Sequence, residues 1–181
     1  MIVFTSNNRP MDEKEFCQFF SSNDPLRGEK RELYEEGIRV PTIMHWPGVI
    51  APGKSSEPMA AYDLLLTFNE LAGGNSTNTT TGVSFANLPL GKPQQLHEYL
   101  YWEYQNRHKK MMLKSYRERK WKFIVLDPFD RAITYELYDL DQNPEEQYNL
   151  ATTRKNVVNR LIGKVTIVRT DYAYDRGGGV N

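Results

Sequence analysis

The chain has 181 residues, 39% of them hydrophobic and 12% aromatic, so it can bury the core of one domain or of two small ones. Lys and Arg together number 23, and so do Asp and Glu. This balance excludes a broad basic surface for nucleic acid or for an anionic membrane. No apolar stretch approaches the roughly 20 residues that cross a bilayer, and a single cysteine excludes an internal disulfide framework.

The N-terminal half combines two strand patterns with one helix pattern. Residues 2–5 form an apolar, partly β-branched run that favours a buried strand and ends at Ser6-Asn7-Asn8. A second strand pattern over residues 38–46 ends at a Pro-Gly turn. Apolar side chains at helical spacing predict a helix over residues 61–71, which a Gly-Gly pair terminates.

The C-terminal half has a different pattern. Short aromatic or β-branched runs cover residues 98–103, 110–116, 121–127 and 135–140, and charged or proline-containing turns separate them. This arrangement is typical of an antiparallel meander. Apolar residues at positions 157, 158, 161, 162, 165 and 168 share one helical face, which predicts a terminal helix packed on the sheet.

Common catalytic patterns are absent from the chain. It has no glycine-rich phosphate loop, no paired-histidine metal motif and no Gly-x-Ser-x-Gly elbow. The three histidines, His45, His97 and His108, are scattered along the sequence. Cys17 lies between Phe16 and Phe19, a setting that favours packing over nucleophilic chemistry.

One segment carries a more specific pattern. Residues 26–41 read Leu-Arg-Gly-Glu-Lys-Arg-Glu-Leu-Tyr-Glu-Glu-Gly-Ile-Arg-Val-Pro, which resembles a signature of type I sulfatases, the sulfuric ester hydrolases of the alkaline phosphatase superfamily. Other segments resemble that family in the same order along the chain: residues 2–8, 46–53, 62–73, 99–103, 121–124 and 136–151.

The resemblance implies an α/β fold. Residues 1–92 would be the trailing part of an alkaline-phosphatase-like sulfatase domain. Residues 93–181 would form an α+β subdomain, a small antiparallel sheet packed by a C-terminal helix.

The resemblance also implies a catalytic apparatus. Sulfatases convert the cysteine of a Cys-x-Pro-x-Arg motif to formylglycine, which attacks sulfur beside a calcium ion. Cys17 is followed by Gln-Phe-Phe-Ser, so it is not that cysteine, and formylglycine is not encoded in this chain. We therefore expect a C-terminal sulfatase portion that is inactive alone.

Three site residues follow from the resemblance. Lys30 matches the lysine that contacts the substrate sulfate. Asn7 and Asn8 match an Asp-Asn pair that helps to hold calcium, and Asn7 replaces the carboxylate with a neutral amide. Because calcium affinity depends on ligand charge, we expect calcium binding to be weak or absent here.

The complete protein is thus expected to hydrolyse sulfate esters, with sulfated sugars as candidate substrates. One alternative is a non-catalytic remnant that acts as a binding or interaction module. Another is a C-terminal half that assembles with a separate N-terminal sulfatase segment through the strand at residues 2–5. The resemblance implies an exported (periplasmic or secreted) or lysosomal location.

Overall fold

The computed structural model describes residues 1–7, 25–75, 81–107 and 109–168. They divide into two compact units, one from residues 1–6 and 41–100 and the other from the described parts of residues 7–40 and 101–181. Residues 25–40 therefore group with the C-terminal sheet. The domain boundary near residue 92 stays a prediction.

The second unit contains a four-stranded sheet in which the strands lie side by side in chain order. Its strands are β3 (Leu100–Asn106), β4 (Met111–Glu118), β5 (Trp121–Pro128) and β6 (Thr134–Asp139). The β4–β5 and β5–β6 pairs are antiparallel, with Ser115 opposite Ile124 and Phe123 opposite Leu137. The predicted meander is confirmed, with strand ends shifted by at most three residues.

A terminal helix, α3 (Lys155–Val168), contacts β4. It buries Val158, Leu161 and Val165, which belong to the apolar face predicted from the sequence. The largest apolar side chains of the sheet core include Tyr116, Phe123, Ile124, Leu137 and Tyr138. The predicted packing of the helix on the sheet is therefore confirmed. Burial of these apolar side chains stabilises the arrangement, because removal of apolar surface from water is the main favourable term in folding.

The first unit contains a two-stranded antiparallel ribbon. Strand β1 (Ile2–Thr5) pairs with β2 (Thr42–His45), so that Phe4 lies opposite Ile43. The prediction of a buried β1 is wrong within this chain, because Ile2, Phe4 and Ile43 are 65%, 66% and 59% exposed. Alternation along the strands places these three side chains on one face, and no described residue covers that face.

The predicted helix of the first unit is confirmed as α2 (Asp63–Leu71). Its first residue is fully buried, and the Asp63 carboxylate accepts the N–H groups of Ala60 (2.6 Å) and Val83 (2.9 Å). His97 Nε2 lies 2.9 Å from the same carboxylate. Asp63 therefore ties the start of the helix to two loops, and His97 is a structural partner of this carboxylate.

Candidate functional site

Lys30 lies in a loop of the second unit that runs from Arg27 to Glu35. The loop contains a turn in which the N–H of Glu32 donates to the carbonyl of Glu29 (3.0 Å), and Lys30 is half-buried within it. A second hydrogen bond, from the N–H of Glu36 to the carbonyl of Arg27 (2.8 Å), closes the loop. The backbone around Lys30 is thus held by local hydrogen bonds.

A short helical turn, α1 (Glu35–Ile38), packs against this loop, and its Gly37 is buried. A Cβ added at Gly37 would lie 2.6 Å from the carbonyl oxygen of Glu29 and closer still to that of Glu32. The carbonyls on either side of Lys30 therefore rest on Gly37. Only glycine allows backbone segments to approach this closely.

Arg27 anchors the start of the loop. Its guanidinium donates to the hydroxyls of Tyr138 (2.7 Å) and Tyr34 (3.0 Å) and to the carbonyl of Glu146 (3.1 Å). Both tyrosine hydroxyls donate in turn to Glu136 Oε2, each at 2.8 Å. Burial, together with the nearby Glu136 carboxylate, raises the pKa of Tyr34 and of Tyr138, so both remain protonated donors.

A buried charged cluster anchors the end of the loop. Lys122 Nζ lies 2.9 Å from Glu35 Oε1 and 3.1 Å from Glu146 Oε1, and the Lys122 side chain is fully buried. The backbone N–H of Glu35 donates to Glu146 Oε2 at 2.6 Å. Arg39 and Arg117 approach the other oxygen of Glu35 at 3.7 and 3.8 Å.

The two carboxylates of this cluster differ in pKa. Burial acts to raise the pKa of Glu35, but Lys122 and then the two arginines outweigh burial, so its pKa is below the ordinary value. Burial raises the pKa of Glu146 above the ordinary value, and the attraction of Lys122 does not fully compensate. Glu35 is thus the better-stabilised anion of the pair.

The ammonium group of Lys30 is not engaged by the described charged residues around it. Among the described residues, none forms an ion pair or hydrogen bond with Lys30, whereas neighbouring Glu32 is paired with Lys109 Nζ at 2.7 Å. An ammonium on a flexible stem is a compact, strongly hydrated point charge. The loop can therefore present a positive charge to a tetrahedral anion.

The predicted metal ligands are not assembled into a site by the described residues. Asn7 follows β1 as an exposed residue, and Asn8 lies outside the described residues. Among the side chains that the structure describes, no group of three or more His, Cys, Asp or Glu is placed to hold a metal ion. Calcium takes six to eight oxygen ligands, more than Asn7 and its described surroundings supply. The Asn7–Asn8 pair stays a prediction.

Several residues that build the site were not predicted from the sequence: Arg27, Tyr34, Glu35, Lys122, Glu136, Tyr138 and Glu146. Each lies in a segment that resembles a sulfatase segment, within residues 26–41, 121–124 or 136–151. A charged residue inside an apolar strand, such as Lys122 in Trp-Lys-Phe-Ile, is a signal of a buried ion pair. Its partners are 87 and 24 positions away, so their identity required the fold.

Comparison with known proteins agrees with this architecture. Residues 28–171 match the family model described as N-sulphoglucosamine sulphohydrolase, C-terminal. An ulvan-active sulfatase of Formosa agariphila is 29% identical over 80% of this chain and 35% of its own length. Human arylsulfatase A is 30% identical over 83% of this chain and 33% of its own length.

A solved structure from Bacteroides thetaiotaomicron, from work on the metabolism of multiple glycosaminoglycans, shares the fold. Its TM-score is 0.74 at 24% identity, over 92% of this chain and 38% of that one.

The chain spans about a third of the length of the curated relatives given above. None of the described helices is both long and apolar enough to cross a bilayer. The chain belongs to the sulfatase family and corresponds to its C-terminal portion.

Proposed function

We propose that the complete protein hydrolyses sulfate esters of sulfated sugars and that this chain supplies Lys30 as a contact to the sulfate group. The observation that carries the proposal is the loop itself, which is fixed at both ends and presents an ammonium group with no described partner. The sugar is suggested by the matching family model, whose description names an N-sulphoglucosamine sulphohydrolase. An exported or lysosomal location is part of the same proposal.

The contribution of Lys30 is electrostatic. Sulfate ester hydrolysis places negative charge on the sulfate oxygens and on the leaving oxygen, and a positioned cation stabilises that charge. Formylglycine and calcium, which the family resemblance implies, would supply the nucleophile and a Lewis acid from outside the described residues. The residues of this chain bind and orient the anion.

The test uses the longest protein that the gene encodes around this chain, assayed with a generic aryl sulfate. The Lys30→Ala variant should lose about tenfold or more in kcat/KM, since a charge-assisted hydrogen bond contributes about 1.5–3 kcal/mol. Lys92→Ala removes an exposed lysine of the first unit and should leave the rate unchanged. Equal rates for Lys30→Ala and the unaltered protein would refute the sulfate contact.

The neutral amide at Asn7 favours one alternative, a module that binds sulfated ligands without turnover. In that case the longest protein would bind a sulfated sugar through Lys30 but release no sulfate. The other alternative, assembly with a separate N-terminal segment, requires the exposed ribbon of β1 and β2 to be covered by a second chain. Co-purification with such a segment would support assembly, and a chain that stays monomeric in the presence of the added segment would contradict it.

A further inference from the structure

We propose that the buried cluster of Lys122, Glu35 and Glu146 positions Lys30 for its sulfate contact, which makes these three residues positioning residues. The inference rests on the proposed role of Lys30. The cluster draws on three separate sequence segments, residues 26–41, 121–124 and 136–151, each quoted above as sulfatase-like. The proposed sulfate contact, Lys30, lies in the first of these segments and gives no role to the other two.

The cluster has little freedom to rearrange. Three charged side chains that are almost entirely buried meet within 2.9 and 3.1 Å. Removing Lys122 leaves two carboxylates in the interior without their shared cation, which is strongly unfavourable. The position of Glu35 relative to the sheet is therefore set by Lys122 on β5 and by Glu146 after β6.

Glu146 contacts both ends of the Lys30 loop. Its side-chain Oε2 accepts the N–H of Glu35, and its backbone carbonyl accepts the guanidinium of Arg27. Glu146 itself has a φ of +54°, a left-handed conformation that is unfavourable for a non-glycine residue. Its surroundings hold this conformation, and the conformation in turn lets the residue reach both ends of the loop.

The constraint passes from Glu35 to Lys30 through Gly37. Glu35 starts the helical turn α1, and its carbonyl accepts the N–H of Arg39 at 2.7 Å. The same turn contains Gly37, against which the carbonyls of Glu29 and Glu32 rest. A displacement of α1 must therefore move the backbone on either side of Lys30.

The cluster thus holds the Lys30 loop in the conformation that binds the anion before the anion arrives. A loop that samples several conformations binds its anion only in the competent fraction, so the apparent Kd rises as that fraction falls. If loss of the cluster reduces the competent fraction to about a tenth, the Kd for sulfate rises about tenfold.

The experiment uses the 181-residue chain and follows backbone amides by NMR. Exchange of the amide hydrogens of Glu32, Glu36 and Gly37 reports order in the loop, and the Ile124 amide reports the sheet. Inorganic sulfate is the probe, titrated against chloride at equal ionic strength, and the loop amide shifts give its Kd. The variants are Lys122→Met, Glu35→Gln and, as a matched control, Lys120→Met, which removes a partly exposed lysine paired with the buried Asp139.

We expect Lys122→Met and Glu35→Gln to raise the sulfate Kd about tenfold. Both should accelerate exchange in the loop by more than at the Ile124 amide, which reports any loss of global stability. Lys120→Met should change neither quantity. If Lys122→Met does not fold, the nearly isosteric Glu35→Gln decides the question by the same measurements. Unchanged loop exchange and sulfate affinity in a folded cluster variant would overturn the positioning role.

Two further variants separate this inference from the proposed function. Lys30→Ala leaves the cluster intact, so the loop amides should remain protected while the sulfate response disappears. An unaltered sulfate response in Lys30→Ala would refute the proposed contact, independently of the exchange data. Gly37→Ala keeps all charges but inserts a Cβ against the loop carbonyls, and it should loosen the loop as the cluster variants do; normal protection there would refute transmission through α1.

Discussion

Lys122 Nζ lies 2.9 Å from Glu35 Oε1 although the two residues are 87 positions apart in the sequence. Both side chains are buried, and the pair joins strand β5 to the helical turn α1, which packs against the Lys30 loop. Desolvation of two charges is costly, so such a pair is stable only with good geometry and additional hydrogen bonds. The N–H of Glu35 and the carboxylate of Glu146 supply the additional bond.

Removal of Lys122 should be strongly destabilising. Lys122→Met leaves the carboxylates of Glu35 and Glu146 together without their shared cation, and we expect a loss of about 3–5 kcal/mol in the free energy of unfolding. Urea denaturation measures this loss. Lys120→Met breaks the pair with Asp139, in which Asp139 is buried but Lys120 is 39% exposed, and should cost less than Lys122→Met because water reaches this pair; equal losses in the two variants would contradict the buried cluster.

Stability should depend on pH through Glu146 and Glu35 with opposite signs. Because the folded pKa of Glu146 is raised above the ordinary value of 4.5, its ionised form is penalised at neutral pH, and the penalty disappears as the pH falls through that folded pKa. Because the folded pKa of Glu35 is lowered below 4.5, its stabilising contribution is present above 4.5 and is lost as the pH falls further, through its folded pKa.

Glu146→Gln isolates the first contribution. The variant lacks the ionised form, so its unfolding free energy relative to the unaltered chain should be most favourable at neutral pH and should decline as the pH approaches 4.5. Urea midpoints over that pH range test the sign. A difference that stays constant, or that grows on acidification, would show that the pKa of Glu146 is not raised.

In the first unit, Asp63 should be sensitive even to an isosteric change. Asp63→Asn keeps one carbonyl oxygen but turns an NH₂ group toward partners that need an acceptor, so at least one of the N–H groups of Ala60 and Val83 loses its bond. An unsatisfied buried donor costs about 1–3 kcal/mol. Asp130→Asn changes an exposed carboxylate and serves as the control; similar unfolding midpoints for the two variants would argue against the buried role of Asp63.

Calcium should not bind tightly to this chain. Asn7 offers a neutral amide, and calcium affinity rises with the number of charged oxygen ligands. Titration calorimetry with calcium chloride should therefore show no saturable binding in the micromolar range typical of calcium sensors. Tight binding by the unaltered chain that Asn7→Ala abolishes would reverse this conclusion.

The elements of the fold followed from local patterns. Alternation and β-branched composition predicted the meander, and the helical spacing of residues 157–168 predicted α3, because each pattern needs only one face to be apolar. The burial of β1 was mispredicted for the same reason: an apolar run indicates a strand, whereas its burial depends on what covers it. In this chain Ile2, Phe4 and Ile43 remain exposed.

The sequence by itself determined the family resemblance, the predicted sulfate contact at Lys30 and the order of strands and helices, since these depend on residue identity and short-range spacing. Only the tertiary structure decided which distant charges meet. Glu35, Lys122 and Glu146 each read as an ordinary charged residue in sequence, and any of several carboxylates could have paired with Lys122. Burial selected this set, because a charge removed from water is tolerated only beside a partner held at hydrogen-bonding distance.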